Sequence, residues 1–279
     1  MKQHRTREGD ATAVDTKTAL TTVGSDTAPG ALYVPRGMTH ITKVKIAACE
    51  NFAAATSFAG FIRLEGNGMS GGPQTLAALA GGAAVATGGN FANFPVEIPV
   101  NFPVSESNII EVYAEMCGTD IGAVSFAVGL EFSDKPNEGA DEHKTLTVEG
   151  DIASADTRTA LLTQGSVASP TLVVPAGFTK IDKLIVAAAA EGLADGKATF
   201  LVRLGGNAVQ GGEQILPVAA AGRIAVQSGS DAAPQVNIAT VYENLDIAVS
   251  PSDTISVWGE MAGDDLGTAR MVITAVFAK

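Results

Sequence analysis

The sequence predicts an all-β chain built of two tandem, homologous β-sandwich domains, and three observations carry that prediction. Four blocks of the first half recur in order in the second, apolar and polar residues alternate with a period of two, and glycine and proline punctuate the chain at short intervals.

The repeat comes first. Asp15 to Ser25 matches Asp156 to Ser166 at 8 of 11 positions, and Val34 to Ala48 matches Val174 to Ala188 at 8 of 15. Phe61 to Leu76 matches Leu201 to Leu216 at 8 of 16, and Val112 to Gly122 matches Val257 to Gly267 at 6 of 11. Random pairing at ordinary residue frequencies would give about 3 to 4 identities over all four blocks. The offset between copies moves from 141 through 140 to 145, which places the length changes in loops near Ala28 to Gly30 and between Gly82 and Asn108. The polar stretch 134–144 reads as a linker, so the expected organisation is a basic N-terminal arm over 1–10, one sandwich over 11–133, the linker, and a second sandwich over 145–279.

The strands follow from alternation. Val124, Phe126, Val128, Leu130 and Phe132 form one apolar row, and Met271, Ile273, Ala275 and Phe277 repeat it. The strand before each runs Ile110, Val112, Ala114, Met116 and Ile255, Val257, Gly259, Met261, and the Gly/Asp-rich loops 118–122 and 263–267 suit antiparallel hairpins. A further pair runs Phe58, Gly60, Ile62, Leu64 and Phe200, Val202, Leu204. The VPxGxTxI segments at 34–41 and 174–181 read as a strand end, a turn and a new strand, while 74–80 and 214–220 suit short helices or strands. Seven or eight strands in each copy of about 125 residues suit a jelly-roll-like sandwich.

Composition narrows the function. With 46% hydrophobic residues, 17% charged residues and a mean hydropathy of +0.22, the chain must pack a core. A net charge of −12 excludes a surface devoted throughout to nucleic acid. The start of the chain is a local exception. Lys2, Arg5 and Arg7 form a basic arm that reads as a solvated tail or as a contact for polyanion or anionic lipid. No signal peptide is expected, because no continuous apolar segment follows the basic start, and no stretch is long enough to span a bilayer as a helix.

Catalysis has no visible basis. His4, His40 and His143 stand far apart and none recurs in the other copy; Cys49 and Cys117 align with Ala189 and Ala262 and read as small core residues. The glycine-rich segments 66–74 and 206–214 lack the GK[ST] ending of a phosphate loop and read as tight inter-strand loops. No cofactor and no metal are expected. Polar residues present in both copies are the candidate structural and interface positions: Arg63 and Arg203, Glu115 and Glu260, Asp120 and Asp265, with Asn67, Asn207, Gln74 and Gln214. Arg63 stands on the face opposite Ile62 and Leu64, and Glu115 opposite Met116, so the two can pair across a sheet or with a neighbouring subunit. Asp120 and Asp265 offer the alternative of a sugar or calcium site.

Two fused sandwiches of jelly-roll size with a short basic N-terminal arm resemble the double jelly-roll major capsid proteins of icosahedral viruses, in particular the small ones of prokaryotic viruses. The resemblance lies in architecture over nearly the whole chain. It implies a homotrimer of pseudo-hexagonal outline within a shell, synthesis in the host cytoplasm, a place in the virion, and contact with other capsid proteins and, through the arm, with nucleic acid or membrane. Two other classes stay open: a cell-surface lattice or filament protein, and a pair of carbohydrate-binding modules. For the latter, one Trp and three Tyr give few stacking platforms.

Overall fold

The computed structural model describes residues 1–21, 32–51, 56–83, 90–92, 96–118, 123–137, 141–163, 169–190, 196–223 and 235–279. Every regular element among them is a strand. The first half holds β1 (Lys2–Ala11), β2 (Thr18–Ala19), β3 (Leu32–Tyr33), β4 (His40–Asn51), β5 (Thr56–Glu65), β6 (Gln74–Ala83), β7 (Asn90–Ala92), β8 (Val96–Pro103), β9 (Ile109–Gly118) and β10 (Val124–Ser133). The second holds β11 (His143–Ile152), β12 (Thr159–Ala160), β13 (Leu162–Thr163), β14 (Thr171–Val173), β15 (Lys180–Ala190), β16 (Gly196–Gly205), β17 (Gln214–Arg223), β18 (Gln235–Ile238), β19 (Thr240–Tyr242), β20 (Ile247–Ala248), β21 (Thr254–Gly263) and β22 (Ala269–Ala278).

These strands form two antiparallel sandwiches of the same order. In the first, β1-β10-β4, with β7 and β8 beyond β4, faces β6-β5-β9, with β2 and β3 beyond β9. In the second, β11-β22-β15, with β19 and β20 beyond β15, faces β17-β16-β21, with β12 and β14 beyond β21. Strands adjacent in sequence mostly lie in opposite sheets, and the four-strand orders interleave as a jelly roll requires. The inward rows are those the alternation marks. Val124, Phe126, Val128, Leu130 and Phe132 are buried in one roll, and Met271, Ile273, Ala275 and Phe277 in the other.

Register matches rung by rung. Thr6 faces Gly129 across β1 and β10, as Thr147 faces Thr274 across β11 and β22. Phe61 faces Ala77 across β5 and β6, just past a bulge, as Leu201 faces Pro217 across β16 and β17, also past a bulge. The glycine-rich loops are tight inter-strand turns: Gly66 and Gly206 have φ of +97° and +102°, and a Cβ there would stand 2.6 Å and 2.7 Å from the Ile109 and Thr254 carbonyl oxygens. Asn67 Oδ1 accepts the Ile109 N–H at 2.9 Å and closes that turn.

Two expectations change and one open alternative is decided. Residues 2–11 are not an arm; β1 pairs with β10 along its whole length and is an edge strand of the first roll. The reading missed it because the inward row holds Gln3, Arg5, Arg7 and Gly9 where the second roll has Lys144, Leu146, Val148 and Gly150. The signal was nevertheless there, since Glu8-Gly9-Asp10 repeats as Glu149-Gly150-Asp151. The linker is also shorter than 134–144, because β11 begins at His143. Asn137 ties the linker down by donating to the Thr42 and Val100 carbonyls at 3.1 Å and 2.8 Å. Segments 74–80 and 214–220 are strands. Asp120 lies outside the described residues, as does most of the loop around it.

Candidate assembly faces

Among the described residues the rolls meet chiefly where a sheet edge lies across a sheet face. β6 crosses the outer face of β11, β22 and β15, with β5 beside it. An edge strand carries a row of unpaired backbone groups, and burying them without partners costs about 1–3 kcal/mol each. Threonine hydroxyls from the second roll supply the partners. The Thr75 N–H donates to Thr145 Oγ1 at 2.9 Å, and the Ala77 N–H to Thr274 Oγ1 at 2.8 Å. Thr147 Oγ1 lies 3.1 Å from the Thr75 carbonyl oxygen and 2.7 Å from Thr274 Oγ1. Gln74 Oε1 accepts the Thr145 N–H at 2.8 Å, and its Nε2 donates to the Gly72 carbonyl at 3.0 Å.

Beyond Ala77 the same edge is finished by a strand. β18 of the second roll pairs with Leu79–Gly82 of β6, and the Ala239 N–H donates to the Ala78 carbonyl at 3.1 Å. Around this polar row the contact is apolar. Ile185, Ala187, Ala189, Val272 and Val276 join the core of the first roll, which explains why both faces of β22 are buried. The alanines of β6 and β15 keep the crossing close, because a larger side chain at each rung would hold the two surfaces apart.

Charged groups close the rim. Arg270 donates to Glu149 Oε2 at 2.7 Å and reaches Asp151 Oδ1 at 2.9 Å, and its side chain is 10% exposed. Cys117 is fully buried, its Sγ 3.3 Å from the Ala59 carbonyl, and burial pushes its thiol pKa well above the ordinary range. Cys49 departs from the small-core reading, since it is half-exposed on the outer face of β4. His143, at the start of β11, is buried with Nε2 3.5 Å from Asp182 Oδ2. Burial pulls its pKa down to about 4, Lys183 acts in the same direction, and Asp182 and Asp141 oppose them.

The structure brings the repeated Arg and Glu residues together in pairs. Arg63 Nε donates to Glu115 Oε2 at 2.7 Å, with Arg63 bordering a cleft at the seam that Thr75, Thr145 and Thr147 also line. Arg203 Nε donates to Glu260 Oε2 at the same distance, and Glu213 links Arg203 to Arg158. Lys17 stands over the Tyr113 ring at 4.2 Å and Arg158 over the Trp258 ring at 3.7 Å, so a cation already occupies each aromatic face. Asp265 Oδ1 accepts the Gly267 N–H within its own loop at 3.0 Å. Among the described residues no three His, Cys, Asp or Glu gather at one point. Lys2 pairs with Glu131 at 2.7 Å, Arg7 is buried at the sandwich edge, and Arg5 is exposed.

No protein-family model matches the sequence, and no curated protein matches it. Solved structures match over nearly the full chain at low identity. One is the triple jelly-roll protein of an archaeal virus turret assembly, at 12% identity and a TM-score of 0.25, covering 98% of this chain. The chain spans 56% of that protein's length. A second is the major capsid protein of bacteriophage PM2, at 9% identity and a TM-score of 0.39, covering 100% of this chain and 98% of that one. A third is PNGase F, a glycosylasparaginase of Flavobacterium meningosepticum, at 10% identity and a TM-score of 0.39, covering 99% and 96%. A capsid protein and a glycosylasparaginase stand at the same score, so this likeness does not choose between them.

The sequence reading missed the seam itself. Thr145, Thr147 and Thr274 occupy positions that alternation assigns to an outward polar face, and only the crossing of β6 makes them buried partners. The one available signal was the apolar character of both rows of β22, where Val272 and Val276 face outward in a strand whose other row is already apolar. Among the described residues no helix is long and apolar enough to cross a membrane.

Proposed function

We propose that the protein is a self-assembling structural protein, a viral major capsid protein whose chains join as pseudo-hexameric trimers in an icosahedral shell. One observation carries the reading. The chain makes, within itself, a large contact between the edge strand of one roll and the outer face of the other, and among the described residues nothing covers the twin edge on the second roll or the twin face on the first. A contact that uses different surfaces on its two sides is head-to-tail, and copies joined that way form rings or filaments rather than stopping at a pair. A chain of two rolls needs three copies to present six similar units around a ring.

In this reading the protein resides in the virion, its principal partner is itself, and further capsid proteins join the shell. Of the basic residues at the start of the chain, Arg5, which is exposed, and Lys2, which is paired with Glu131, are the candidates for contact with an enclosed polyanion or lipid. The Arg63–Glu115 pair holds the outer face of β5 in shape beside the contact, and the Arg203–Glu260 pair does the same for β16 on the second roll. The carbohydrate-binding reading gains nothing from Tyr113 and Trp258, whose faces are taken by Lys17 and Arg158.

Size-exclusion chromatography with light scattering, followed by electron microscopy of the largest species, tests the proposal. Trimers, hexagonal capsomers or closed shells are expected. Open sheets or fibres would favour a lattice or filament protein, and a monomer at every salt concentration would remove the assembly reading.

A further inference from the structure

The internal seam is a template for an external one, and the residues at the twin positions have changed in matched pairs. The edge strand of the second roll is β17, and among the described residues nothing pairs with its outer edge. Ile215 is 49% exposed there and Pro217 is exposed. Val173 and Leu162, on the same roll, are exposed as well. The twin of the receiving face is the outer row of β1, β10 and β4, where His4, Thr6, Ser125, Ala127, Gly129, Ala47 and Cys49 stand at the places of Thr145, Thr147, Arg270, Val272, Thr274, Ala187 and Ala189. This face holds an open depression of about 780 Å³ lined by Glu8, Asp10, Ala47, Cys49, Ser125 and Ala127 among others.

The pairing of changes is specific. Inside the chain the Ala77 N–H donates to the Thr274 hydroxyl. The twin of Ala77 is Pro217, which has no N–H, and the twin of Thr274 is Gly129, which has no hydroxyl. Donor and acceptor have been lost together, so bringing these two residues into contact strands neither an N–H nor a hydroxyl at this rung. Gly129 also leaves room for the proline ring, since a Cβ there has no neighbour nearer than Lys45 Cβ at 3.6 Å. The other polar contacts keep their chemistry. Thr6 retains the hydroxyl that Thr147 gives to the strand carbonyl, and His4 offers a ring nitrogen where Thr145 offers its oxygen.

We infer that β17 of one copy lies across β1, β10 and β4 of a second copy of this chain, with Pro217 over Gly129 and Ile215 beside His4 and Thr6. The inference rests on the assembly reading and names the surfaces that carry it. The receiving face is more polar than its internal twin, with Lys45 and Glu131 where the twin has Ile185 and Val276, as suits a surface that is soluble before its partner arrives. Proline on an edge strand also discourages sheet-to-sheet pairing, so the edge is directed to a face rather than to another edge.

Two experiments on the full chain test it. In a Cys49→Ala background, His4→Cys chains are mixed with Ile215→Cys chains and oxidised. A linked pair containing one of each is expected, and neither variant alone should link. Assembly without that link, or Ile215→Cys linking to itself, would overturn the named contact while leaving assembly standing; a monomer under all conditions would overturn both. In the second, Gly129→Thr is expected to raise the concentration for half-assembly about 10-fold with the melting temperature unchanged, since the added side chain takes the space of the proline ring and Pro217 has no N–H to offer it. Gly129→Thr combined with Pro217→Ala recreates the internal pair and is expected to restore wild-type assembly. Failure of the second change to rescue the first would count against the proposed register.

Discussion

The outer faces of β11-β22-β15 and of β1-β10-β4 have the same strands in the same register, yet one is covered by β6 and the other, among the described residues, has no strand across it. The first carries Thr145, Thr147, Thr274, Val272, Val276 and Ile185 against β6; the second carries His4, Thr6, Gly129, Ala127, Glu131 and Lys45 facing outward. The inward rows of the two sheets, by contrast, hold apolar residues along β10 and β22 alike. The difference teaches that the fold constrains the inner row, and the presence of a partner within the chain constrains the outer one.

The sharpest way to break that comparison is to truncate twin residues. Phe61, on the outer face of β5, is 0% exposed, whereas its twin Leu201 is half-buried. Phe61→Ala is expected to cost about 4 kcal/mol in urea unfolding and Leu201→Ala about 1 kcal/mol in the unassembled chain. Equal losses would mean that the two faces are used alike.

Arg270 and Ser125 form the next pair. Arg270→Ala strips Glu149 and Asp151 of their cation at a buried rim and is expected to cost about 3 kcal/mol. Ser125→Ala, at the exposed twin, should stay within about 0.5 kcal/mol. A small loss at Arg270 would show that water enters the seam.

His143 and its twin Lys2 differ in the same sense, one buried and one exposed. Because the folded His143 is held near pKa 4 against an unfolded value of 6.5, the unfolded chain binds more protons between those values. The stability that comes from the neutral ring is therefore complete above pH 6.5 and is lost as the pH falls toward 4, by up to about 3 kcal/mol. His143→Gln should flatten the fall in unfolding midpoint over that window relative to the parent chain, and Lys2→Gln should not; parallel slopes in all three would refute the assignment.

The smallest effect belongs to the threonine row. Thr274→Val leaves the Ala77 N–H without its acceptor and Thr147 without one partner, and should cost about 1–2 kcal/mol without altering the fold. Amide exchange at Ala77 is the direct check, with faster exchange expected in the variant.

Much of this architecture was legible in the residues. A period of two marks which side chains share a face, and the repeat shows that Val124 to Phe132 and Ala269 to Phe277 are the same strand. The Arg63–Glu115 and Arg203–Glu260 pairs could be anticipated from strand faces alone, because cross-strand neighbours follow from local alternation. β1 was harder to read, since Arg5 and Arg7 stand where Leu146 and Val148 mark the twin strand.

By itself, then, the sequence determined the fold class, the order of the repeated blocks and the inward rows, because these depend on short-range periodicity and on comparison of one half with the other. Only the tertiary structure decided that β6 lies across β11, β22 and β15, that Thr145, Thr147 and Thr274 serve a foreign edge strand, and that β18 completes the neighbouring sheet. The reason is physical: alternation separates the two faces of a strand but carries no information about what covers the outer one, and a threonine facing water and a threonine capping a buried N–H are the same letter.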